Sequence, residues 1–146
     1  MKTHIVIGSY IFHDDKVLLI YHKKLDKWLP VGGHIDEDEI PDDAVLREIK
    51  EDVGLEAEFI HPSTLPVNGG SKRNCAIPFH VNVHSVGDHD HCCYFYALRS
   101  KGTDTTQNTK ELKAMRWFSK EELKEPIVPD DVREIAYLAF EKREQT

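Results

Sequence analysis

Residues 32–55 read GGHIDEDEIPDDAVLREIKEDVGL. Gly32 and Gly33 open the stretch and Gly54 nearly closes it. Pro41 suits the first turn of a helix, where its missing N–H costs nothing. Gly54 suits a left-handed C-cap. The spacing predicts a helix from about residue 41 to residue 53. Val45, Ile49 and Val53 recur every four residues as its apolar stripe. Glu48, Glu51 and Asp52 stand at i, i+3 and i+4 and share another face.

That acidic face is costly as mere scaffolding. Like charges at this spacing repel by a few tenths of a kcal/mol per pair, roughly. They also sit in the last two turns, near the negative end of the helix dipole, at about 0.3–1 kcal/mol each. Arg47 and Lys50 offset part of this. A solvated acidic face is the plain alternative. The glycine pair ahead of the helix and the placement against the dipole favour a divalent-metal site.

Outward from this stretch, His4–Phe12 is rich in β-branched and aromatic residues and predicts a strand. Residues 13–16 form a turn, and Val17–Tyr21 predicts a buried strand that completes a hairpin. Lys23–Lys27 is a charged loop. After the helix, Glu56–His61 reads as a strand stopped by Pro62. Residues 62–78 read as a loop or lid. Phe79–Ser85 and Cys92–Arg99 read as two strands, and residues 101–110 as a polar, mobile segment. Ala114–Phe118 is a short strand. Ser119 and Glu122 have the spacing of a capping box for a short helix. Asp131 with Glu134 is read as the cap of a last helix running to about Lys142, with Ile135, Leu138 and Ala139 inside. The order predicts the α/β class, a mixed sheet packed between helices.

The chain has 146 residues and a formal net charge of −7. That length fits one domain spanning residues 1–146. The charge argues against broad nucleic-acid binding, but not against a small anionic substrate neutralised by local cations. No apolar run approaches the ~18 residues of a membrane span, so no membrane partner is expected. Met1-Lys2 leads into a strand-like segment and not a signal peptide. Cys75, Cys92 and Cys93 make a poor disulfide framework. The expected location is a reducing cytoplasm.

Three carboxylates on one helical face, with a backbone carbonyl from a tight glycine turn, match the hard oxygen donors that Mg²⁺ requires. Phosphate-containing substrates fit such a site best. One carboxylate left free of metal can act as general base. The reaction class that follows is metal-assisted hydrolysis of a phosphoanhydride.

Gly33, Glu39, Arg47, Glu48, Ile49, Glu51, Asp52, Gly54 and Leu55 resemble the signature of the Nudix hydrolases, G-x5-E-x7-R-E-U-x-E-E-x-G-U, where U is a bulky apolar residue. All nine fixed positions are filled, Asp52 standing where the family usually has Glu. The resemblance implies an α/β/α sandwich with a mixed sheet, and Mg²⁺ as cofactor with Mn²⁺ as a substitute. It implies cleavage of a diphosphate linked to another moiety, of the nucleoside di- or triphosphate type. A homodimer is common in the family. By the same resemblance Glu51 and Asp52 match the principal metal ligands. Glu48 matches a ligand or general base, and Gly32 matches a carbonyl ligand. Arg47 orients the glutamates, and Glu39 supports the loop–helix geometry. Asp52 is one methylene shorter than the usual residue. Val31 stands where many members carry proline.

Glu111, ahead of Trp117-Phe118, resembles a loop glutamate that supplies a further ligand or base in some members; a surface glutamate is the plain alternative. His34, beside the glycines, is a candidate phosphate contact, as are Lys23, Lys24, Lys72 and Arg73. Trp28 reads either as a base-stacking surface or as a lid on the core. His80 or His84 reads as lining a substrate pocket. His80, His84, His89, His91, Cys92 and Cys93 are dense enough for zinc, but their spacing matches no standard structural site. Solvated turn histidines with two strand cysteines is the plainer account. Two further alternatives remain: a non-catalytic Nudix-like nucleotide-binding module, and diphosphate-ester isomerisation, which would need a catalytic cysteine such as Cys75.

Overall fold

The computed structural model describes residues 2–145. Strand β1 (Thr3–His13) is buried from Val6 to Phe12 and organises the sheet around itself. It pairs antiparallel with β2 (Lys16–His22) through the predicted hairpin, whose turn places Asp14 at φ 51°. Asp tolerates this left-handed conformation better than most residues. On its other side β1 runs parallel to β7 (Asp90–Ser100), from Thr3 opposite Asp90 to Phe12 opposite Arg99. β3 (Lys27–Leu29) pairs with β2, and β4 (Val31–His34) pairs with β1. β5 (Ala57–Phe59) and β6 (His80–Ser85) both pair with β7, and β8 (Leu112–Ser119) pairs with β2. The result is one mixed eight-stranded sheet.

Helix α1 (Pro41–Val53) has the predicted bounds. Pro41 is in its first turn, and Gly54 caps it at φ 68° with its N–H donating to the Lys50 carbonyl. Ala44, Val45, Ile49 and Val53 pack on one side of the sheet with Ile7, Ile11, Leu18, Ile20, Tyr96 and Leu98. The other side carries α2 (Asp130–Arg143), whose Val132, Ile135, Ala136, Ala139 and Phe140 meet Tyr10, Phe12, Phe95 and Phe118. Each helix covers one face, so the fold is the α/β/α sandwich.

Several local expectations change. The charged loop expected at Lys23–Lys27 gives way at its last residue to the Lys27–Leu29 strand, which the sequence does not predict. Ser119 and Glu122 do form reciprocal capping bonds, of 2.9 and 3.1 Å, but around a single 3₁₀ turn at Glu122–Lys124. Asp131 does not cap α2: Pro129 is the N-cap, without a side-chain bond. Pro fixes the backbone at the entry to the helix instead. Leu138 is only half-buried, because the buried stripe runs through Val132, Ile135, Ala136, Ala139 and Phe140.

Both long loops are tied to α1. The Asp42 carboxylate, 5% exposed, accepts the Ala76 N–H at 2.9 Å, and Arg73 donates twice to Asp43 at 3.1 and 3.3 Å. At the other end, Thr106 N–H donates to the Val53 carbonyl and Asn108 N–H to the Asp52 carbonyl, both at 2.9 Å. These bonds satisfy carbonyls that a helix end leaves without intrahelical partners.

Candidate active site

Arg47 is the hub of the acidic helix. Its guanidinium donates to both oxygens of Glu39, at 2.8 and 3.0 Å, in the fork geometry that suits a carboxylate. It also donates to Glu48 Oε1 at 3.0 Å, to Glu51 Oε2 at 3.2 Å and to the His34 carbonyl at 3.1 Å. Glu39 in turn accepts the Asp36 N–H at 3.0 Å. The loop before α1, the end of β4 and two carboxylates of α1 are thereby fixed to one cation.

Glu48 is packed against β4. A Cβ added to Gly33 would lie 2.5 Å from Glu48 Oε1, so the absence of a side chain at residue 33 makes room for this carboxylate. Burial pushes the Glu48 carboxyl up to about 7. The charge of Asp52 adds to the rise, and Arg47 opposes it. Asp52 is 3% exposed. Burial pushes it up to about 6; the Asn108 amide, 3.4 Å away, opposes this, and the charges of Glu111 and Glu51 add to it. Glu51 is more than half exposed.

Glu111, which precedes β8, is therefore brought within electrostatic reach of Asp52, and the 101–111 segment places it there. Lys23 belongs to the same corner: its N–H donates to the Glu111 carbonyl at 2.9 Å, and its ammonium bonds the Thr109 carbonyl. An open groove of about 520 Å³ beside Glu51 is lined by Lys50 and residues 106–110. Among the described residues, the ion pairs of Glu39, Glu48 and Glu51 all go to Arg47, and Asp52 and Glu111 make none. The donor set is all oxygen, half-buried and short of positive charge. It fits a hard divalent cation such as Mg²⁺, with Glu48, Glu51 and Asp52 as the candidate oxygen donors.

The remaining candidates lie elsewhere. His34 is exposed at the end of β4, aligned with Val6 and so on the opposite side of the sheet from Gly33 and Glu48. His80 stacks on Phe95 at 5.9 Å between ring centres, also on that opposite side. Trp28 packs edge-on against Tyr21 and Phe118 at 5.4 and 5.2 Å, against the α2-side core. Arg73 is engaged with Asp43. Cys75 is an exposed free thiol. Asn108 is a site residue that the sequence reading does not find. It sits in a polar segment with no periodicity, and only the docking of that segment on α1 brings it to Asp52.

The comparisons with known proteins agree with this geometry. The NUDIX domain model matches residues 2–138. No curated protein matches the chain. A NUDIX-family hydrolase from Clostridium perfringens superposes with a TM-score of 0.86 at 30% identity, over 97% of this chain and 99% of that one. A MutT NUDIX hydrolase from Burkholderia pseudomallei gives 0.70 at 21% identity, over 94% and 98% of the two chains. An ADP-ribose pyrophosphatase from Streptococcus suis gives 0.62 at 22% identity, over 94% and 90%. These last two likenesses establish the fold. The match over residues 2–138, with the Arg47-centred carboxylates on α1, places the chain in the Nudix family, as a Nudix-type pyrophosphohydrolase.

Proposed function

We propose that this single domain hydrolyses a phosphoanhydride bond in a diphosphate linked to another moiety, a nucleoside di- or triphosphate derivative, in a Mg²⁺-dependent reaction. The observation that carries the reading is the gathering of Glu48, Glu51, Asp52 and Glu111 around the last turns of α1, where Arg47 bonds, of these four, Glu48 and Glu51 alone. Gly32, Glu48, Glu51 and Asp52 would hold the metal, and Mn²⁺ can replace it. When bound, the ion neutralises the diphosphate and polarises phosphorus toward attack.

Glu48 is the general base. Its carboxylate, largely shielded from solvent, would take a proton from the attacking water. Arg47 holds the Glu48 side chain in place through Oε1, and Gly33 leaves space for it. Glu111, close enough for its charge to act on Asp52, is the second candidate for the base. Lys23, bonded to the Glu111 and Thr109 carbonyls, is a candidate contact for the substrate's phosphates. His34, His80 and Trp28 are not gathered with the carboxylates, and no substrate role is assigned to them.

The test is a panel of nucleoside triphosphates, ADP-ribose and UDP-linked diphosphates, assayed with and without Mg²⁺ for phosphate or nucleoside monophosphate release. Turnover of at least one compound that needs Mg²⁺ and disappears in Glu51→Gln is expected. Tight binding with no turnover across the panel would overturn the proposal.

A further inference from the structure

Outside the carboxylate site, histidines from four strands and the turn between β6 and β7 meet at one end of the sheet. The parallel register of β1 and β7 sets His4 beside His91, and β6 sets His84 on the other side of His91. β4 ends with His34, aligned with Val6 on the same face. The turn between β6 and β7 adds His89. The four side chains of His4, His34, His89 and His91 each offer a nitrogen, and these atoms all lie within 4.8 Å of one another. Two approaches are closer: His4 Nδ1 to His34 Nε2 at 3.2 Å, and His89 Nε2 to His91 Nε2 at 3.1 Å.

We propose that His4, His34, His89 and His91 form a four-histidine site for a late first-row divalent transition metal, with Zn²⁺ as its ion. Four nitrogens about 2.0–2.1 Å from a tetrahedral centre stand roughly 3.3–3.4 Å apart. The two close pairs are already within a few tenths of an ångström of that spacing, and side-chain rotation closes the rest.

A second observation points the same way. Asp88 Oδ1 lies 2.7 Å from His89 Nδ1, so Nε2 is the nitrogen aimed at the cluster. A carboxylate on the far nitrogen is the arrangement that orients metal-binding histidines. His84, 5.6 Å from His91 between ring centres, is held by Asn82 and packs beside the site.

Imidazole donors select Zn²⁺, Cu²⁺ or Ni²⁺ over Mg²⁺, which prefers the oxygen set on α1. The two sites are thereby sorted by ligand chemistry. They are joined through His34, whose ring belongs to the cluster and whose carbonyl accepts a bond from Arg47. The cysteines take no part. Cys92 aligns with Ile5 and Val83 on the other face, and Cys93 is buried beneath Gly8. The cluster therefore shares only His89 and His91 with the zinc set read from residues 80–93.

The experiment uses the full, tag-free chain, stripped with chelator and then titrated with Zn²⁺ or Co²⁺ in excess Mg²⁺, which keeps the carboxylates occupied. One Zn²⁺ per chain is expected, with tetrahedral Co²⁺ absorption bands. X-ray absorption should show nitrogen neighbours at about 2.0 Å with imidazole scattering. The double variant His4→Ala/His91→Ala should bind at least 100-fold more weakly, while Cys92→Ser binds as the parent does. No stoichiometric uptake, equal uptake by the double variant, or a weak octahedral Co²⁺ spectrum would each overturn the proposal. The parent's spectrum decides the matter even if the double variant does not fold.

Discussion

Arg47 shares one guanidinium among Glu39, Glu48, Glu51 and the His34 carbonyl, so a change at the buried members is felt by the others. Glu51 is the most exposed of these carboxylates and the safest to change. Glu51→Gln should keep the melting temperature within a few degrees while Mg²⁺-dependent turnover falls by ~100-fold or more, the size expected when a metal site loses a ligand or outer partner. Unchanged turnover in a steady-state assay would remove Glu51 from the ligand set. Gly33→Ala tests the base differently. The new methyl would meet the Glu48 carboxylate at 2.5 Å, and a displacement near 1 Å can cost about 100-fold in rate. We expect kcat to fall while the thermal melt changes little, because a flexible carboxylate can move aside. At this scale the carboxylates of α1 are legible in the sequence, since i, i+3 and i+4 on a helix are local relations. Asn108 and His4 are not, because their partners lie far along the chain. Asp52, shorter than the usual residue, is buried and bonded to Asn108, a contact that spacing alone does not reveal.

Helix α1 was the most legible element, because its proline start and glycine stop are both local signals. Gly54 has a double reason to stay glycine. Its φ of 68° disfavours a side chain, and an added Cβ would come within 3.1 Å of Thr106 in the segment that carries Asn108. Gly54→Ala should lower stability by more than about 1 kcal/mol in urea melts. It should also weaken Mg²⁺ binding by shifting Asn108 and Glu111. Intact affinity would mean that the 101–111 segment holds its place without the helix end. The short β3 strand and the cap of α2 were less legible: a three-residue strand has no period to read, and a proline cap leaves no side-chain signature. The 62–78 segment, read as a loop or lid, is bonded through Arg73 and Ala76 to the first turn of α1.

Across the whole molecule, the carboxylate site couples stability to pH and to metal. In metal-free protein the Glu48 and Asp52 carboxyls sit at about 7 and 6, above their ordinary values of 4.5 and 3.8. Groups raised in this way stabilise the fold fully below their ordinary values. That contribution is lost as pH climbs through about 6–7. A bound divalent cation favours the charged forms and removes the loss. The difference in melting temperature between Mg²⁺-loaded and metal-free protein should therefore widen from pH 5 to pH 8. A constant difference in calorimetry would show that these two groups do not meet the metal. The layering of sheet and helices is legible from element order, whereas the pairing of β1 with β7 is not, because nothing near residue 5 announces a partner near residue 92. That pairing also dictates an order of events during synthesis. Tyr96 and Leu98 of β7 complete the apolar seat of α1, beside Val45, Ile49 and Val53. Until the ribosome has released β7, the first hairpin has no parallel neighbour and the acidic helix has no finished bed. The carboxylates that define the chemistry are thus among the first parts of the chain to be made and among the last to take up their working arrangement.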